Sequence, residues 1–132
     1  MEILTAKWAT SAALAVIALL SPIHALLGAV GFLIFADMAT GIAASIKKGE
    51  RITSKAMGRT IYKALAYQLA VISGFAMEHL LLGDSIPVAK LVAAAIGLVE
   101  FKSLLENVQT LTGTSLRTVI ERVTDAGRKG MD

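Results

Sequence analysis

Four long hydrophobic stretches, separated by short polar breaks, make up most of the chain. A membrane-spanning helix needs roughly 20 predominantly apolar residues. The last three stretches reach that length, and the first is marginal because Lys7 and Trp8 lie near its start. The pattern predicts an all-α integral membrane protein, a bundle of about four transmembrane helices arranged as two hairpins. The predicted spans are residues 3–20, 25–46, 62–82 and 86–108, within a transmembrane domain of residues 1–110.

The breaks between the stretches have simple physical causes. Pro22 removes a backbone donor and disfavours helix at the residue before it. A single kinked helix through Pro22 would be too long for one crossing, so a tight hairpin is predicted there. Residues 83–85, followed by Pro87, predict a second turn, and residues 47–51 a charged loop after which Thr53 or Ser54 caps the next helix. A cleaved signal peptide is the alternative for the first stretch, but no small-residue cleavage site is evident.

Residues 111–132 are predicted to form a cytoplasmic tail. Leu116, Val119, Ile120 and Val123 repeat at i, i+3, i+4 and i+7, the spacing of one helix face. Charged residues fill the opposite face, which predicts a short amphipathic helix. Such a helix either lies on the inner leaflet or pairs with the tail of a partner.

The composition indicates that lipid is the solvent. Hydrophobic residues make up 55% of the chain and charged residues 17%, whereas soluble domains average about 25% charged residues. The chain contains no cysteine and only two histidines, so no metal site and no cofactor are expected. The scattered serines have no evident base and orienting carboxylate, and we therefore do not expect an enzyme.

Lysine and arginine positions predict the orientation. Six lie between residues 47 and 63, four lie in the tail, and Lys7 is near the N-terminus. With four spans, all of these fall on one side, and the opposite turns hold only His24 and Asp84 as titratable groups. The positive-inside rule then places both termini in the cytoplasm. The basic balance indicates contact with anionic lipid rather than nucleic acid.

Several polar residues fall inside the predicted spans, where charge is costly and points to function. Asp37 and Glu100 both lie about 12–14 Å from the cytoplasmic ends of their spans, at 1.5 Å per residue, so they are expected at one depth. Either these groups satisfy one another inside a helical bundle, or they line an aqueous path or a subunit interface; a proton relay is a further alternative. The candidates for pore lining, oligomerisation or packing are Asp37, Thr40, Gly41, Glu100, Lys102, Glu106 and Asn107, of which Lys102 and Glu106 are spaced to pair.

Small residues recur every four positions in the last two spans. The third span carries Ala66, Ala70 and Gly74, and the fourth carries Ala93 and Gly97. Such stripes let helix backbones approach closely. The contact is either within one chain or between copies.

Two segments together resemble the phage-lysis and toxin-secretion holin family. The first comprises residues 37–49 (Asp-Met-Ala-Thr-Gly-Ile-Ala-Ala-Ser-Ile-Lys-Lys-Gly) and 52–55 (Ile-Thr-Ser-Lys), followed by Gly58 and Lys63. The second comprises residues 100–107 (Glu-Phe-Lys-Ser-Leu-Leu-Glu-Asn). The resemblance covers roughly residues 25–110. Lys102 stands where the family more often has a small or apolar residue.

The resemblance implies a phage-encoded, multi-pass protein of the host bacterial inner membrane. Such a protein accumulates, forms homo-oligomers and opens a lesion that permits endolysin release and host lysis. The implied partners are further copies of the chain, the lipid bilayer and an endolysin. A different hypothesis is a phage- or defence-associated membrane channel or structural component that uses the same module for another partner, and a third is a small transporter.

Overall fold

Five α-helices and one 3-10 turn make up the regular structure of residues 1–129, the part of the chain that this computed structural model describes. Residues 130–132, the end of the predicted tail, lie outside the described residues. The helices are α1 (Glu2–Leu20), α2 (His24–Lys48), α3 (Ser54–Leu80), α4 (Val88–Thr112) and α5 (Leu116–Lys129), and the 3-10 turn is Ser21–Ile23. The predicted all-α class is therefore confirmed, with α3 beginning eight residues before the predicted span.

Helices α2, α3 and α4 form a bundle in which α4 packs against both of the others. The core is small and consists of aliphatic side chains, one aromatic ring and alanines. Val71 is fully buried, and Val30 and Ile34 of α2 are nearly so. The other buried core residues are Ile23, Phe75, Ala89, Ala93 and Ile96.

The outer surface of the bundle carries many large apolar side chains, whereas the buried core is small. Phe32 and Phe35 of α2, Leu65 and Leu69 of α3, and Leu98 of α4 are all exposed. Large apolar surface left exposed on a protein marks contact with a membrane or a partner. The exposed face therefore suits lipid.

One helical run, Ile3–Lys48, is long and apolar enough to cross a membrane, judged over the described residues by length and composition alone. Only 11% of its most apolar window is buried, unlike the core helix of a soluble protein. The predicted count of four spans is not confirmed. Helices α3 and α4 carry polar residues within their apolar stretches, Gln68 and Glu78 in α3 and Glu100 and Lys102 in α4, which lowers their hydropathy.

The predicted hairpin between the first two stretches is not confirmed. Leu20 and Ser21 have right-handed helical dihedrals, and the chain passes from α1 through the 3-10 turn into α2 without reversing. Pro22 lies in the first positions of the turn, where its missing N–H has no helical partner to lose. Helix α1 packs on this turn and little on α2.

The charged loop between α2 and α3 is closed by specific caps. Gly49 adopts φ +73°, the left-handed conformation that ends α2, and Glu50 N–H donates to the Ser45 carbonyl. The Thr53 hydroxyl accepts from Ala56 N–H at 3.2 Å, so Thr53 rather than Ser54 is the cap of α3. Lys47 donates to the carbonyls of Thr110 and Leu111, which caps the end of α4 and ties it to the end of α2.

The second predicted hairpin is present, and it joins α3 to α4. At its turn, Glu78 Oε2 accepts from the backbone N–H of Ala89, in the first turn of α4, at 3.2 Å. His79 and Asp84 also contact each other across the turn. A carboxylate at a helix N-terminus is favourable because the terminal N–H groups and the helix dipole are positive there.

Helix α5 matches the predicted amphipathic tail. Val119, Ile120 and Val123 are exposed on one face. On the polar face Arg117 Nε lies 2.9 Å from Glu121 Oε1. An apolar stripe left exposed beside a charged face is the pattern of a helix that lies at a membrane surface or against a partner.

Candidate functional site

Three charged side chains from three different helices meet inside the bundle. Lys63 Nζ of α3 lies 3.2 Å from Asp37 Oδ2 of α2 and 2.8 Å from Glu100 Oε2 of α4. We call Asp37, Lys63 and Glu100 the ion triad. It ties together every helix of the bundle at a single point.

The ion triad is shielded from the surroundings to different degrees. The Glu100 side chain is 1% exposed, that of Asp37 13% and that of Lys63 31%. A buried carboxylate is tolerated only when its charge is paired and hydrogen-bonded. Lys63 provides that pairing for Glu100, and its long apolar stem lets the ammonium reach inward from the start of the apolar part of α3.

Asn107 of α4 extends the polar cluster toward the cytoplasmic end predicted for the bundle. Its side-chain amide donates to Asp37 Oδ1 at 3.0 Å and lies 3.2 Å from Thr40 Oγ1 and from the Asp37 carbonyl. Thr40 in turn donates to the Ala36 carbonyl at 2.8 Å. A Cβ at Gly41 would lie 3.4 Å from Asn107 Nδ2, so Gly41 leaves room for this amide.

Replacing Asn107 with leucine is expected to lower the free energy of unfolding by about 1–3 kcal/mol, because Asp37 loses a donor in a half-buried site. Thermal unfolding of the purified protein in detergent measures this. The control is Gln109→Leu, two residues further along α4, since Gln109 is exposed. Equal loss in both variants would show that the amide network adds nothing.

The structure divides the predicted site residues into two groups. Asp37, Thr40, Gly41, Glu100 and Asn107 come together. Lys102 and Glu106 pair with each other, as their spacing predicts, but lie on the outside of α4 with side chains 76% and 63% exposed. The sequence analysis placed Lys63 among the loop-side cations and in the first segment of the resemblance, and the structure adds its contacts in the ion triad.

The small residues of the last two spans serve mainly contacts within the chain. A Cβ at Gly74 would lie 3.3 Å from the Cα and N atoms of Ala89, which brings the backbones of α3 and α4 close together. Ala93 is buried and Ala70 packs against the core. A Cβ at Gly97 would touch Leu33 at an ordinary 3.5 Å, whereas Ala66 is exposed.

A cleft of about 490 Å³ opens beside the ion triad, between α2, the start of α3 and α4. Asp37, Lys63 and Asn107 form its inner end, and Arg51 and Arg59 also line it. Within residues 1–129 no group of three or more histidine, cysteine or acidic side chains is placed to hold a metal ion. The lining of the cleft combines basic side chains with apolar ones.

Comparison with known proteins supplies the family. A model described as the bacteriophage holin family matches residues 14–126, which include α2, α3, α4 and most of α5. Neither a search of curated proteins nor a search of solved structures gives a match. Because the match covers most of the sequence, and includes both segments of the resemblance, the chain belongs to the bacteriophage holin family.

Proposed function

We propose that this chain is a phage holin that forms homo-oligomers in the bacterial inner membrane and opens a lesion through which endolysin reaches the cell wall. The family match over residues 14–126 carries the proposal. The apolar outer surface supports a place in the membrane.

The packing within one chain supports a lesion that forms between copies. The core of the three-helix bundle is filled by Val30, Ile34, Val71, Phe75 and Ile96. The charges of the ion triad pair with one another within the bundle. A packed bundle of this size holds no water-filled passage wide enough for a folded enzyme. Several copies must therefore surround the opening.

The outer face of α4 carries polar residues that suit the lining of that opening. Lys102, Glu106 and Gln109 are exposed at i, i+4 and i+7 on α4. Charged groups that face lipid cost free energy, although the pairing of Lys102 with Glu106 reduces the cost. In an assembly with this face toward water the cost disappears, so we propose that this face lines the lesion.

We propose four crossings with both termini in the cytoplasm, which requires α1 to fold back at Ser21–Ile23. Single cysteines introduced into this cysteine-free chain test the arrangement. We expect Ser85→Cys to react with an impermeant maleimide in intact spheroplasts, and Glu50→Cys and Glu2→Cys, which precedes the first predicted span, to react only after permeabilisation. Labelling of Glu2→Cys from outside would contradict four crossings and leave α2, α3 and α4 as the bundle that crosses.

The decisive test is expression in bacteria with and without an endolysin. We expect the membrane potential to collapse after a delay in both cultures, with lysis only where endolysin is present. An unchanged potential at high accumulation of the protein would contradict the proposal. Recovery of the chain in purified phage particles, together with no lysis, would favour a structural component instead.

A further inference from the structure

The cleft beside the ion triad combines positive charge with an apolar wall. Arg51 lies in the loop before α3, and Arg59 and Lys63 follow on α3 at a spacing of one turn. The apolar wall consists of Met38, Ile42, Ile52 and Met57, and the hydroxyls of Ser45, Thr60 and Ser103 also line the cleft. The lining of the cleft is therefore amphiphilic.

The two arginines are available to an outside anion. The described residues place no carboxylate within ion-pair distance of Arg51 or Arg59. The acidic residue in the cleft, Asp37, is already engaged by Lys63 and Asn107. The cleft therefore has unneutralised positive charge.

The start of α3 adds to this positive potential. Its first turn contains no acidic residue, so no negative charge on the helix offsets the positive end of its dipole, and the neutral Thr53 hydroxyl caps only the Ala56 N–H. Ala56, in that first turn, lines the cleft with its neighbour Met57. The helix end and both arginines thus act on the same space.

We propose that this cleft binds an anionic phospholipid, with the headgroup phosphate between Arg51 and Arg59 and an acyl chain along Met38 and Ile42. Arginine suits phosphate because its planar guanidinium donates two parallel hydrogen bonds. Basic clefts between helices at the cytoplasmic surface bind lipid headgroups in this way. The apolar wall favours a lipid over a free phosphate, which would leave that wall exposed to water.

The test uses the full chain in nanodiscs and compares spin-labelled phosphatidylglycerol with spin-labelled phosphatidylcholine. One basic residue near an anionic membrane surface is worth roughly a fivefold preference. We expect the wild-type chain to associate at least about fivefold more strongly with phosphatidylglycerol, and Arg51→Gln with Arg59→Gln to remove that preference. Millimolar inorganic phosphate is expected to leave the association unchanged.

The matched control is Lys48→Gln with Lys55→Gln, which removes the same charge from the same region without touching the cleft lining. We expect this control to keep most of the preference. Equal losses in both double variants would overturn the site in favour of a diffuse surface charge, as would displacement by free phosphate. In the wild-type chain, a phosphatidylglycerol with the photoreactive group on its headgroup is expected to label residues 51–59, and no labelling of these residues would also overturn the site. None of these measurements depends on lysis.

Discussion

Replacing Lys63 with methionine is expected to destabilise the bundle more than any other single change in the ion triad. The variant keeps the length of the side chain but leaves Asp37 and Glu100 without their shared cation. Breaking a buried ion pair from one side costs roughly 3 kcal/mol or more, which corresponds to a fall of on the order of 10 °C in melting temperature. Thermal unfolding in detergent measures the fall, and lysis is expected to be lost with it.

Two further variants test whether the effect of Lys63→Met is due to the lost charge. Lys55→Met makes the same exchange two turns earlier on α3, at an exposed position, and is expected to unfold like the wild-type chain. The triple variant Asp37→Asn, Lys63→Met, Glu100→Gln removes all three charges and is expected to recover part of the loss, since no unpaired charge remains buried, while the two buried amides keep a smaller cost. A melting temperature unchanged by Lys63→Met would show that the ion triad does not stabilise the bundle.

Replacing Gly74 with leucine is expected to separate α3 from α4. The atoms that a Cβ would meet at 3.3 Å are the Cα and N of Ala89, and backbone in a helix has no rotamer through which to move aside. Overpacking of this kind costs about 1–3 kcal/mol. The new side chain also displaces the first turn of α4 from Glu78, which caps it. Melting temperature and the yield of monodisperse protein are the measurements.

Gly28→Leu is the matched control. A Cβ at Gly28 meets nothing within 4 Å, and leucine forms helix better than glycine by up to about 1 kcal/mol. We expect this variant to be as stable as the wild-type chain or more so. If Gly28→Leu and Gly74→Leu destabilised the protein equally, the close crossing at Gly74 would not be the cause.

Local rules predicted where the helices break more closely than where they end. The charged loop was predicted from residue 47, but α2 continues through Lys48 and ends at Gly49, since glycine adopts the left-handed conformation readily. Thr53, one of two predicted caps, begins α3 because its hydroxyl accepts from a free N–H. Pro87 marks the start of α4 for a similar local reason. Each of these signals depends on a few neighbouring residues, so the sequence alone contains it.

Two members of the ion triad were candidates from the sequence. Counting residues from the ends of the spans predicted one depth for Asp37 and Glu100, and in the structure both carboxylates contact Lys63. The position of Lys63 was harder, because a lysine at the start of a span is equally suited to snorkel toward the headgroups. Two carboxylates at one depth required a cation, and Lys63 is the last cation before the apolar part of α3.

The path of the chain at Pro22 was not predicted. A proline indicates that the helix is interrupted locally, but it does not determine the direction in which the chain continues. Proline fits the first turn of a helix as well as it fits a loop. Which of the two forms depends on contacts between distant residues. The same limitation applies to Lys47, whose bonds to the end of α4 span more than sixty residues of sequence.

Helix α1 is connected to the bundle but packs little against it. Its tilt relative to the bundle can therefore change with the thickness of the membrane. Residues 3–19 are all exposed, so packing against α3 and α4 contributes little to holding them in place. The run Ile3–Lys48 measures about 70 Å at 1.5 Å per residue, more than twice a hydrocarbon core of roughly 30 Å. Such hydrophobic mismatch is relieved by tilting or bending. Bending at Ser21–Ile23 relieves it while the ion triad and the core stay intact.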